Sequence, residues 1–215
     1  MFNSAQHKQL SERGIEPDQV LEQLETFRKG ILPVTLINPS IPGHGIEVFE
    51  EKEIDNYVNH FRQAKNNISL LKFVPASGAA SRMFKQLFEA VGEFSSKSHE
   101  IDKTLANMPE MVKFFNELMD YPFINDLAIV CEKNGETPDS LIKSKRYGEL
   151  LNYLLSTNGL SYGQLPKGLL KFHKYADETR TAFEEHFIEA AQYLKDKEDV
   201  VKLHFTVSPE HLKLF

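Results

Sequence analysis

The sequence predicts an α/β fold with an N-terminal helical arm and a large helical insertion, and three features carry that expectation. Leu70-Leu71-Lys72-Phe73-Val74-Pro75 is short, apolar and bounded by turn residues, as a buried strand is. Val201, Leu203, Phe205 and Val207 alternate with Lys202, His204 and Thr206, the period of a second strand. Between them, from Gly92 to Gly163, apolar residues recur at helical spacing and no strand pattern interrupts.

The elements follow in order. A polar turn ends at Gly14, and Pro17 to Lys29 places Val20, Leu21, Leu24 and Phe27 on one helical face. Leu32 to Ile46 holds Pro33, Pro39, Pro42, Gly43 and Gly45, which break helix and sheet alike and predict a long irregular loop. Ile54, Tyr57, Val58 and Phe61 then mark an amphipathic helix from Glu50 to Lys65, closed by Asn66-Asn67. After the first strand, Phe84, Leu87, Phe88 and Val91 predict a helix over 81–91. Three periodic runs fill the insertion: Val112 to Met119, Ile124 to Cys131, and Tyr147 to Leu154. Thr181 and Glu184 are spaced as a capping box for a helix reaching Leu194. The expected organisation is therefore an arm and loop over 1–65, an α/β framework over 66–91 and 164–215, and a helical insertion over 92–163. Two strands do not make a stable sheet by themselves. The sheet is expected either to be completed beyond Phe215 or to include strands hidden among the helices.

Composition narrows the class of protein. A chain of 215 residues can bury a real core, and its single cysteine, Cys131, allows no internal disulfide, so a reducing cytoplasm is expected. The first residues show no basic segment followed by an apolar run, and no stretch approaches the length of a membrane span. A net charge of −6 argues against general binding to nucleic acid or anionic membranes, which reward a basic face.

Local chemistry concentrates at Ala76-Ser77-Gly78-Ala79-Ala80-Ser81-Arg82-Met83. Here a strand is expected to end, small residues let the backbone turn with its amides outward, and a helix is expected to start with Arg82 in its first turn. Amides and a helix N-terminus receive phosphate, and a guanidinium grips two of its oxygens. The plain alternative is a tight strand-to-helix turn with Arg82 solvated. Far downstream, Leu165-Pro166-Lys167-Gly168 precedes the capped helix and the second strand. Lys167 is read either as a second phosphate ligand or as a solvated loop lysine.

In this order of parts the chain resembles the nucleotidyltransferases that make sugar nucleotides. Their first strand leads into a loop of the form Ala-(Ala/Gly)-Gly-x-Gly-(Ser/Thr)-Arg-(Met/Leu), followed by Pro-Lys, a helix and a second strand. Ala76 to Met83 fall on that loop and Pro166-Lys167 on its continuation, while Ser77 and Ala80 stand where glycine is usual. The intervening helical insertion spans roughly 80 residues by the spacing of its periodic runs. The resemblance covers about residues 70–85 and 165–215; the chain also resembles an uncharacterised bacterial family of unknown function. It implies an incomplete nucleotidyltransferase-like, Rossmann-like sheet, a nucleoside triphosphate and a sugar phosphate as ligands, and Mg²⁺ whose carboxylates would lie beyond this sequence. Arg82 and Lys167 would be the catalytic clamp, and the backbone of Ala76, Ser77, Gly78, Ala79, Ala80 and Ser81 the cradle. Two other readings stand beside this one: a non-catalytic binding or scaffold module, and a helical interaction protein whose loop is only a turn.

The remaining polar residues carry less. His173, His186 and His211 show no zinc-like spacing and have no cysteine partner, so a non-catalytic role is expected of each. His204 lies off the apolar face of its strand, and Cys131 is expected to be a small core residue. Glu50-Glu51 and Glu184-Glu185 sit near helix starts, where carboxylates favour the macrodipole.

Overall fold

The computed structural model describes residues 2–215. The chain divides into a first unit ending at Asp55 and a second unit, Asn56–Phe215.

The first unit begins with α1 (Ser4–Glu12), capped by Asn3 and Gln6, each of whose side chains bonds the other's backbone amide. Gly14, at φ 64°, follows it and leads to α2 (Pro17–Lys29). Proline at the first position of α2 costs no hydrogen bond, and Gly30 ends the helix at φ 76°, in the left-handed region. The expected irregular loop holds only a pair of two-residue strands, β1 (Ile41–Pro42) and β2 (Gly45–Ile46). None of the described residues up to Asp55 is buried. The helix α3 (Glu51–Ala64) crosses the division between the units.

The second unit holds the core. β3 (Lys72–Pro75) pairs in parallel with β6 (Leu203–Thr206), Val74 lying opposite Phe205. Two further strands, β4 (Lys171–Lys174) and β5 (Thr179–Thr181), form a separate antiparallel pair. Hidden strands therefore exist, but they do not extend the β3–β6 sheet. The alternation in β4 and β5 spans so few residues that no period shows in the sequence.

Between β3 and β4 run α4 (Lys85–Ser96), α5 (Ile101–Ala106), α6 (Pro109–Asn116), α7 (Ile124–Lys133), α8 (Pro138–Lys143) and α9 (Tyr147–Leu155). The periodic runs mark α6, α7 and α9; α5 and α8 have six residues each, too few to complete two turns and display a stripe. No strand interrupts this stretch among the described residues. α4 packs on α9, and Leu150, Leu151 and Leu154 of α9 are at most 1% exposed. Leu118, Leu127, Cys131, Leu141 and Leu170 close the same core. At about 25 cal/mol per Å² of apolar surface removed from water, this cluster is what holds the second unit together.

The last helix, α10 (Ala182–Tyr193), starts at the capping box that Thr181 and Glu184 predict. It packs on β4, β5 and a short 3-10 turn, Lys167–Leu169, and its Phe183 and Phe187 meet Phe205 of β6.

Candidate functional site

β3 and β6 end side by side, and the Ala76 amide extends their pairing by donating to the Thr206 carbonyl at 2.8 Å. That amide is therefore spent on the sheet. The chain then leaves the sheet at Ser77, Gly78 and Ala79, all exposed. It is caught again from a distant segment. The Lys167 amide donates to the Gly78 carbonyl at 2.9 Å, and Ala79 lies opposite Pro166 in an antiparallel bridge. The backbone of Lys167 is thus beside the loop.

The small residues of the loop have different jobs. An added Cβ at Gly78 would meet nothing within 4 Å, so the outside of the loop is open there. Ala80 is 2% exposed, its methyl packed in the core with Phe84. The Cβ of Ala80 therefore stands in the core and not in the open face of the loop. The amides of Ser77, Gly78, Ala79 and Ser81 have no backbone acceptor among the described residues, which leaves them available to an anion.

Arg82 departs from expectation. The helix predicted from Ser81 begins at Lys85, because the Met83 amide closes a tight turn onto the Ala80 carbonyl at 2.9 Å while Ala80 and Phe84 insert into the core. Arg82 therefore lies in the turn before the helix. It is exposed and forms no ion pair among the described residues.

Next to the loop is a cavity of about 210 Å³. Lys167, His186 and the rings of Phe172, Phe183, Phe205 and Phe215 line it, together with Ala76 and Gly78. Arg82 and the acidic residues are not among its lining. Of the two residues expected to supply cations, Lys167 lines this space.

His186, expected from the sequence to be non-catalytic, also lines this cavity. Its Nδ1 lies 3.4 Å from Glu189 Oε2, one helical turn on. Glu189 in turn pairs with Lys72 of β3. The Lys72 ammonium, more than His186, holds the Glu189 carboxyl below the usual glutamate range, against the opposing effect of burial. The ring nitrogen Nε2 has no protein partner among the described residues, and no buried side-chain polar atom there is left unsatisfied, so Nε2 remains accessible. A glutamate three residues after a histidine on a predicted helix was a faint signal; Lys72, from a distant strand, gave none.

Two other histidines have partners of their own. His211 bonds the Ser208 hydroxyl, and His204 stacks on Phe73. The Mg²⁺ implied by the resemblance finds no fit in these residues: no group of three His, Cys, Asp or Glu side chains converges among the described residues. No helix among them is long and apolar enough to cross a membrane.

Fold and site together define a mixed α/β protein in which a strand-to-helix loop of small residues is closed by a distant lysine segment. The chain belongs to the family described as a domain of unknown function (DUF4301), whose model matches residues 3–215. No curated protein and no solved structure matches it.

Proposed function

We propose that the loop from Ala76 to Ser81 binds the phosphates of a nucleoside triphosphate and that Lys167 balances their charge, in a nucleotidyltransferase-like domain acting on a sugar phosphate. The observation that carries this reading is the hydrogen bond from the Lys167 amide to the Gly78 carbonyl, which seats the distant lysine against the loop. The loop has unspent amides, and Lys167 supplies a positive charge with no carboxylate lining the space beside it.

In such a transfer an oxygen of the acceptor phosphate attacks the α-phosphorus, the bond to the β-phosphate breaks, and pyrophosphate leaves with the charge. Preorganised donors that meet developing charge are the main source of acceleration in phosphoryl chemistry. The loop amides and Lys167 would do this; Arg82 would have to swing from its exposed turn to join them.

A second reading, a non-catalytic nucleotide- or phosphate-binding domain, is favoured by the position of Arg82 outside the cavity lining. Titrating ATP in Mg²⁺ buffer into the full chain and into Lys167→Ala tests binding; the variant is expected to bind at least about tenfold more weakly, the scale of one charge-assisted hydrogen bond. Absent binding, or equal binding by both, removes the nucleotide reading. Release of pyrophosphate with a panel of sugar phosphates then separates the enzyme from the binding domain.

A further inference from the structure

The lining of the cavity beside the loop does not suit a sugar, so the sugar phosphate of the reading above would have to lie outside it. Its walls are mostly apolar, with four phenylalanines beside Val74 and Pro75, and the residues with polar side chains among its lining are Lys167 and His186. Each sugar hydroxyl placed there would give up its hydrogen bonds to water without a partner in exchange. An apolar body, by contrast, gains from leaving water and from stacking on the rings.

The two polar groups are also specific in kind. Lys167 brings an ammonium group on a flexible stem. His186 is held through Nδ1 by Glu189, so that Nε2 is the nitrogen it can present. The charge of Glu189 is already matched by Lys72, and no acidic residue lines the cavity, so an incoming anion meets no like charge on its walls.

We propose that this cavity takes a small amphiphilic oxyanion: an apolar or aromatic body seated among Phe172, Phe183, Phe205 and Phe215, ending in a phosphate or carboxylate that Lys167 and His186 receive. Lys167 supplies charge and His186 supplies direction. Glu189 is a positioning residue, fixing the ring from behind. This goes beyond the nucleotide reading by assigning the space beside the loop to a ligand other than the sugar phosphate, and it rests on that reading only for the cavity's place in a reaction.

The test is a set of titrations into the full chain, followed by the imidazole signals of His186 in NMR. The probes are phenyl phosphate, benzoate, glucose 1-phosphate and inorganic phosphate. Phenyl phosphate or benzoate is expected to bind at least about tenfold more tightly than either of the other two, from the buried ring, and to move the His186 signals; the tighter of the pair identifies the head group. His186→Leu is expected to lose about tenfold in that affinity, the weight of one hydrogen bond to a charged group. If this variant does not fold, the His186 shifts in the unaltered chain decide instead. A smaller aromatic preference, or His186 signals that stay in place, overturns the assignment. ATP is titrated in parallel: ATP binding without aromatic preference sinks this assignment alone, whereas aromatic binding without ATP binding sinks only the nucleotide reading.

Discussion

The amide of Lys167 donates to the carbonyl of Gly78 across 2.9 Å, so the backbone of one residue holds the loop while its side chain remains exposed. The two contributions can be separated. Lys167→Ala keeps the amide and is expected to melt within experimental error of the parent while losing anion affinity. Lys167→Pro, at the first position of a 3-10 turn where proline's φ is the usual one, removes the donor and is expected to cost about 1 kcal/mol in denaturant unfolding. Equal stability of the two variants would show that the bond contributes nothing.

Two glycines should respond oppositely to alanine. At Gly78 a methyl meets open space, so Gly78→Ala is expected to change stability by no more than about 0.5 kcal/mol. At Gly159 the added carbon would fall 1.8 Å from the Tyr153 carbonyl oxygen, which belongs to the backbone of α9 and cannot turn aside. Gly159→Ala is therefore expected to cost at least about 2 kcal/mol, within the range of overpacking a closed site. Urea unfolding of both variants checks the contrast.

Acid should unfold the second unit through identifiable carboxylates. Arg146 lowers the Glu136 carboxyl, Lys72 lowers that of Glu189, and the amides of Glu198 and Val200 lower that of Asp196. For Glu185 the Tyr175 hydroxyl acts first and Arg180 second. Each is depressed in the folded chain, so its contribution is complete above the unfolded carboxylate value, about 3.9 for Asp and 4.3 for Glu, and is lost as the pH falls through the lower folded value. Melting temperatures measured from pH 7 down to pH 3 should be flat at first and then drop, with a shallower drop in Glu189→Gln. An acid limb identical in that variant would exclude Glu189 as a contributor.

Cys131 offers a native reporter of unfolding. It is fully buried, and burial pushes its thiol up to about 11, with Glu136 next among the causes. Since thiolate is the reactive form, a thiol reagent at pH 8 is expected to label it only as fast as the core opens. Rapid stoichiometric labelling of the folded chain would contradict its placement.

The region before Asp55 should exchange its amides early. None of its described residues is buried, so α1 and α2 rest on caps and on solvent-exposed ion pairs such as Glu25 with Lys29. Such pairs contribute a few tenths of a kcal/mol each. Hydrogen exchange is expected to be orders of magnitude slower in α9 than in α1; comparable protection would refute this.

Much of this could be read from the residues, and the failures have causes. Strand β3, helices α2 and α3 and the cap of α10 show in the sequence because their period or their capping pair repeats over enough positions. That the chain near Lys167 meets the loop follows from no local pattern; only the order of distant segments suggests it. The β4–β5 pair escaped because four and three residues are too short for alternation to declare itself. Arg82 was placed in a helix because the apolar period runs back toward Ser81; what interrupts it is the burial of Ala80, a contact with distant residues. His186 gained its setting from Lys72 and Phe205, which no spacing along the chain reveals.

Burial of the Ala80 methyl has a thermodynamic consequence for whatever the loop receives. With Ala76 tied to the sheet at one end and Ala80 sunk at the other, only three residues span the gap, and the middle one is pinned by its carbonyl. A segment restrained at three points has already surrendered most of its backbone freedom during folding, so an arriving ligand need not spend affinity on ordering it. Enlarging residue 80 would lift one anchor and return that ordering cost to the binding step, weakening association even where every contacting atom is unchanged.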